Sequence, residues 1–247
     1  MKALRLSVGM LTCIPVPAVM DVTPRVARGA LLCAPLAVAP LGAAVGLACW
    51  AGGRADLPPL AVAFVAIGLL ALGSRALHLD GLSDVADGLT ASYDRARSLE
   101  VMKGGTAGPA GAAALVVVLG AQAAALATYG ASARDAVVAG ACVAASRGAL
   151  WIVCAAVVPP ARADGLGATF ARRVPVAVTV TGWMALAALA ALVDPVRGLL
   201  AVTVAAAAVL LLTWRCVRRF GGVTGDVYGA AIEVALAVLL VGLAGAG

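Results

Sequence analysis

The chain has 247 residues, of which 63% are hydrophobic and only 12% charged, with a mean hydropathy of +1.06. Soluble domains average about 45–50% apolar and about 25% charged residues, so this composition excludes a soluble domain and indicates a polytopic membrane protein. The net charge of +6 would point to nucleic acid in a soluble protein. Here it records membrane topology, because Lys and Arg accumulate in cytoplasmic loops, and no nucleic-acid partner is expected.

Lys2 and Arg5 precede an apolar run that is short and broken by Pro15 and Pro17, which argues against a cleaved signal peptide. Residues 4–18 read as a short helix on the membrane surface, within an interfacial segment covering about 1–28. Seven stretches then reach the roughly 17–25 apolar residues that a bilayer crossing needs: 29–51, 58–77, 107–130, 135–159, 175–193, 197–213 and 227–246. Turn signals separate them, although only Asp194, Pro195 and Arg197 divide the fifth from the sixth. The expected fold is all-α, a single integral-membrane bundle over 1–247 with about seven spans. With seven spans, one side holds fourteen basic residues: Lys2, Arg5, Arg25, Arg28, Arg75, Arg95, Arg97, Lys103, Arg162, Arg172, Arg173, Arg215, Arg218 and Arg219. The other holds three, Arg54, Arg134 and Arg197. That ratio puts the N-terminus in the cytoplasm, together with segments 78–106 and 214–226, the expected active-site loops. The six cysteines show no metal spacing and read as packing residues.

The segment after the second stretch carries the sole histidine, His78, followed by Asp80, Asp84 and Asp87. If it is helical, steps of four and seven residues gather the three carboxylates into an arc of about 60°. A solvated connector more often mixes signs; a one-signed face suits Mg²⁺, which takes a few carboxylates plus substrate phosphate oxygens. His78 reads as a hydrogen-bonding neighbour of these acids or as a base. Arg147 lies near the middle of the fourth stretch, where it is either an ion-pair partner of Glu233 or a phosphate clamp. Arg215, Arg218 and Arg219 close the sixth stretch, and Gly221-Gly222-Val-Thr224-Gly225-Asp226 makes a glycine-rich turn into the seventh. That segment is either a basic anchor with an ordinary turn or an anion site, since such a backbone offers unpaired N–H groups. Asp226 and Glu233 share a helix face, about 10 Å apart along the axis. Acids, a glycine turn and Arg at one end of a bundle suit phosphoryl transfer, which needs cations around phosphate and a base beside the attacking hydroxyl.

His78-Leu-Asp80-Gly81-Leu-Ser-Asp84-Val-Ala-Asp87-Gly88 resembles the acidic signature of the cobalamin synthase family, with Ser83 where Ala is commoner. GGVTGD at 221–226, followed by Gly229-Ala and Glu233, resembles the family's second motif. Ile14-Pro15-Val16-Pro17 and Ser146-Arg147 resemble two further positions, in the right order. The chain departs at Gly104-Gly105-Thr106, where relatives often carry an Asp-Ser-Arg-type stretch. The resemblance implies a Mg²⁺-dependent transferase of the bacterial plasma membrane, embedded in the lipid bilayer with its active-site loops facing the cytoplasm. Adenosylcobinamide-GDP and α-ribazole, or its 5′-phosphate, would give adenosylcobalamin, or its 5′-phosphate, and GMP. It further implies Asp80, Asp84, Asp87 and Asp226 as metal ligands, with Asp84, Asp87 or His78 in the chemistry. Arg147, Lys103, Arg218, Arg219, Gly222, Thr224, Gly225 and Glu233 would contact substrate, and a homo-oligomer is compatible with this reading.

Two rival readings are weaker. A CDP-alcohol phosphotransferase pattern is matched in part by Asp84-Val-Ala-Asp87-Gly88, but Ser92 and Ala230 stand where an Arg and an Asp belong. A cation transporter would place its acids near the bilayer midplane, between repeated halves, and no repeat is visible.

Overall fold

The computed structural model describes residues 1–245 and is helical, without a strand among them beyond two isolated bridge pairs. In chain order the helices are α1 (Lys2–Leu11), α2 (Pro24–Leu32), α3 (Ala34–Ala37), α4 (Ala39–Arg54), α5 (Pro59–Gly73), α6 (Leu77–Ala91), α7 (Arg95–Val101), α8 (Pro109–Leu126), α9 (Ala133–Ser146), α10 (Ala149–Val153), α11 (Gly165–Phe170), α12 (Val176–Ala191), α13 (Pro195–Phe220) and α14 (Gly225–Leu243). Their starts are chemically marked. Pro opens α2, α5, α8 and α13, where its missing N–H costs nothing. Thr23, Asp94, Ser132 and Asp194 accept N–H groups of the turns they cap, at 3.3, 2.7, 3.1 and 2.8–2.9 Å.

Each predicted apolar stretch maps onto helix, but not every stretch meets the length of a crossing within one straight helix. Among the described residues, four helical segments are long and apolar enough, by length and composition, to cross a membrane: Pro109–Leu126, Ala133–Val153, Pro195–Phe220 and Gly225–Leu243. A fifth is reached only if α5 and α6, bent by 92°, count as one broken span. The reasons for the shortfall from seven are local. Pro35 and Pro40 divide the first stretch among α2, α3 and α4, because proline removes a helical N–H and clashes with the preceding turn. Helix α12 stops at 16 residues. The last stretch also extends to residue 246, outside the described residues. The segment 78–106 is mostly helix rather than loop, and of 214–226 only 221–224 lies outside α13 and α14.

The bundle interior is mostly small and apolar side chains that enclose a few polar groups, and the outer surface is hydrocarbon. Phe64, Leu69 and Leu72 on α5, and Leu199, Leu200, Leu210 and Leu211 on α13, are exposed, as bilayer contact demands. Gln122, Ser146, Arg147 and Glu233 are interior. Helix α14 is central, packing on α6, α8, α9, α10 and α13.

Candidate active site

The acidic signature is helical, so its spacing does place Asp80, Asp84 and Asp87 on one side of α6. Helix α6 meets α14 through glycine. A Cβ on Gly81 would come 2.5 Å from the Asp226 carbonyl oxygen, and one on Gly229 would come 2.8 Å from the His78 Cα. Three steps back along α6 therefore match three steps forward along α14, so the helices run antiparallel. That register sets Asp80 and Asp84, which flank Gly81, against Asp226 in the first turn of α14. Asp80 is exposed, and Asp84 and Asp226 are half-buried. Asp84 lies within electrostatic reach of Asp80, Asp226 and Asp87, and Asp226 within reach of Arg162 and Asp80. The Thr224 hydroxyl donates to Asp226 Oδ2 at 3.0 Å.

Asp87 differs from its neighbours. It is buried, and its carboxylate accepts the backbone N–H groups of Gly108 at 2.7 Å and Gly111 at 2.9 Å. These are the N-cap and third residue of α8, two of the donors that every helix start leaves unpaired. Gly108 has no side chain to cap its own helix, and α6 supplies the cap instead. Asp87 thus ties α8 to the acidic helix with charge-assisted bonds.

Around the glycine turn, Val223 N–H donates to the Pro159 carbonyl at 2.9 Å and Ala161 N–H to the Val223 carbonyl at 2.9 Å. Any Cβ on Gly222 would collide with Pro159, Pro160 and Ala161, so this glycine serves that close approach. Gly225 starts α14 beside Leu166. The Arg cluster is divided. Arg219 stacks on Tyr93 at 4.7 Å and donates to the Leu89 carbonyl at 3.2 Å, at the end of α6. Arg218 is exposed and lies over Trp214 at 5.5 Å. Lys103 is exposed in the α7–α8 connection.

His78, Arg147 and Glu233 stand apart from the surface acids. All three are buried, at 6, 0 and 3% exposure. They belong to the interior, where His78 Nδ1 is 3.8 Å from Glu233 Oε1 and Gln122 Nε2 donates to Glu233 Oε2 at 2.8 Å.

Two cavities flank the acids. One of about 610 Å³ is lined by Asp87, Thr90, Arg97, Glu100 and the 104–110 connection. Another of about 230 Å³ is lined by Arg162, Asp164, Gly165, Thr224 and Asp226. Arg162 and Arg95 enter the site without any sequence motif. Arg162 donates to the Leu99 carbonyl at 2.6 Å and Arg95 to the Ala161 carbonyl at 2.7 Å, pinning 159–162 beside the glycine turn. Only their place among the basic residues of one side could have drawn attention to them.

No group of three or more His, Cys, Asp or Glu side chains converges in metal-holding geometry among the described residues. Asp80, Asp84 and Asp226 instead offer hard oxygen donors from two helices, with Asp226 lining the smaller cavity. Oxygen donors of this type suit Mg²⁺ when substrate phosphate and water fill its remaining positions, and they do not form a closed protein cage.

The family model described as Cobalamin-5-phosphate synthase matches residues 3–244. Curated relatives named adenosylcobinamide-GDP ribazoletransferase include one from Nocardioides sp., 55% identical over 96% of each chain. Another, from Frankia casuarinae, is 36% identical over 95% of this chain and 91% of its own. One from Pseudomonas aeruginosa is 33% identical over 99% of this chain and 98% of its own. No solved structure matches.

Proposed function

The chain belongs to the cobalamin-5-phosphate synthase family, and from that premise we propose that it transfers the adenosylcobinamide phosphoryl group from adenosylcobinamide-GDP to α-ribazole or its 5′-phosphate. The observation that carries this reading is the set of Asp80, Asp84 and Asp226 held at one glycine-packed crossing, within a chain that matches the family model almost end to end. The ribazole hydroxyl attacks the phosphorus joined to the cobinamide arm. A new O–P bond forms, the bond to the bridging oxygen breaks, and GMP leaves with that electron pair. Asp84, which has no hydrogen-bond donor among the described residues, takes the hydroxyl proton. Asp80 and Asp226, on opposite helices, would hold Mg²⁺; when bound, the ion neutralises charge on the diphosphate. The two cavities, one reaching Asp87 and the other Asp226, give donor and acceptor separate approaches to the crossing, and Arg162 supplies positive charge beside Asp226. Arg95, Arg162 and Arg219, gathered around the crossing, support an active site that faces the cytoplasm from the plasma membrane.

The test is to incubate purified protein with adenosylcobinamide-GDP, α-ribazole 5′-phosphate and Mg²⁺ and to follow GMP by chromatography. GMP release that needs both the acceptor and Mg²⁺ is the expected result. Asp84→Asn should abolish release while the protein stays folded in the membrane. Full turnover in that variant, or release without acceptor, would overturn the reading.

A further inference from the structure

We infer that Glu233, Arg147 and His78, with Gln122, form a buried electrostatic clamp that sets the register of α6 on α14. They are positioning residues for the acids, not groups that touch either substrate; the positioning role rests on the proposed transferase function.

Glycine fixes how closely α6 and α14 approach, and polar contacts beside the crossing add a second constraint on how far one helix sits along the other. A one-residue slide of about 1.5 Å would carry Asp80 and Asp84 past Asp226. Buried polar contacts specify register where apolar ones do not. Such contacts lie just behind the crossing. His78, in the first turn of α6, faces Glu233 at 3.8 Å, and Glu233 is two turns inward from Asp226. Gln122 of α8 donates to the Glu233 side chain at 2.8 Å and reaches its backbone carbonyl at 3.4 Å.

Arg147, at the junction of α9 and α10, donates through Nη1 to the Val143 carbonyl and the Ser146 hydroxyl, both at 2.9 Å. Its Nε and Nη2 have no hydrogen-bond partner among the described residues, and Glu233 and His78 lie within its electrostatic reach. Arg147 is 0% exposed and Glu233 3%. Arg147 and Glu233 form no direct ion pair among the described residues, so their attraction acts across the buried space between them, while Glu233 itself gathers His78 of α6 and Gln122 of α8. Arg147 and Glu233 are both buried, whereas Asp80 lies exposed.

The experiment is a double-mutant cycle on the full chain in detergent or nanodiscs. Glu233→Gln, Arg147→Met and the combined variant are compared by unfolding midpoint and by kcat and KM for both substrates. Each single change leaves a buried group uncompensated and should lower the midpoint. It should also cut kcat by about tenfold or more, the scale expected from small misplacement of reacting groups, with both KM values held within about twofold. The combined variant removes both charges, and it should recover much of the midpoint and of the lost kcat, because neutralising a buried pair together is far less costly than breaking it.

A single variant with an unchanged midpoint and a KM raised about tenfold would show substrate contact and overturn the clamp. So would a combined variant no better than the worse single one. His78→Gln, a milder change, should lower kcat without altering its pH profile; loss of a titrating limb would make His78 a base and refute the assignment. The midpoint cycle reports on the clamp even if the wild-type protein releases no GMP, which separates its failure from failure of the proposed function.

Discussion

Gly81→Ala puts the α6–α14 crossing under direct load. The added methyl would lie 2.5 Å from the Asp226 carbonyl oxygen and 3.0 Å from its Cα, whereas ordinary contact begins at 3.4 Å. Both neighbours are backbone in the first turn of α14, so no rotamer can yield. The helices must separate by about 0.9 Å, the difference between 3.4 and 2.5 Å. Overpacking of this kind costs about 1–3 kcal/mol, and an ångström of misplacement at a reacting centre costs about 100-fold in rate. The prediction is a lower unfolding midpoint and GMP release down by one to two orders of magnitude. Gly120→Ala in α8 is the matched control, since a Cβ there meets nothing within 4 Å. It should keep full turnover and gain up to about 1 kcal/mol from helix propensity. Wild-type turnover in Gly81→Ala would refute the crossing as the element that assembles the site.

Other expectations follow from the same geometry. Asp87→Ala strands the Gly108 and Gly111 N–H groups and should lower stability by about 1–3 kcal/mol per buried donor left unpaired, read as a lower denaturation midpoint with increased protease cleavage at 104–108. Asp87→Asn retains one acceptor oxygen and should fall between Ala and wild type in both assays. Asp80→Asn and Asp226→Asn should each raise the Mg²⁺ concentration for half-maximal GMP release, while Arg218→Ala, whose guanidinium lies over Trp214 on an exposed face, should leave that value unchanged.

The sequence shows some of this arrangement and conceals the rest for physical reasons. The 80/84/87 spacing carries its own geometry, because helical periodicity alone brings those carboxylates to one face. The 226/233 spacing does the same for α14, yet one of its acids is at a cavity and the other is interior, a difference of depth that periodicity does not encode. Asp87 is concealed differently. Its partners are the backbone N–H groups of Gly108 and Gly111, and a backbone donor leaves no signature in residue type. Hydropathy over 29–51 outweighed Pro35 and Pro40, so a broken path was expected as one span. Arg162 and Arg95 are placed by pairing between 159–162 and the glycine turn, a tertiary contact over 60 residues.

The crossing of α6 and α14 joins positions far apart in the chain, since Gly81 and Asp226 are separated by 145 residues. A ribosome adding about 5–20 residues per second takes about 7–30 s to make that interval. Throughout it, α6 exists with its acids and His78 but without the helix that gives them a partner, and Arg147 emerges before Glu233. The early helices can insert and pack, and Asp87 can dock α8 soon after it is made. The α6–α14 seam must wait for α14. Biogenesis of this protein therefore ends at the crossing proposed as its active site: an interrupted chain would accumulate as an inserted, substantially helical and inert precursor.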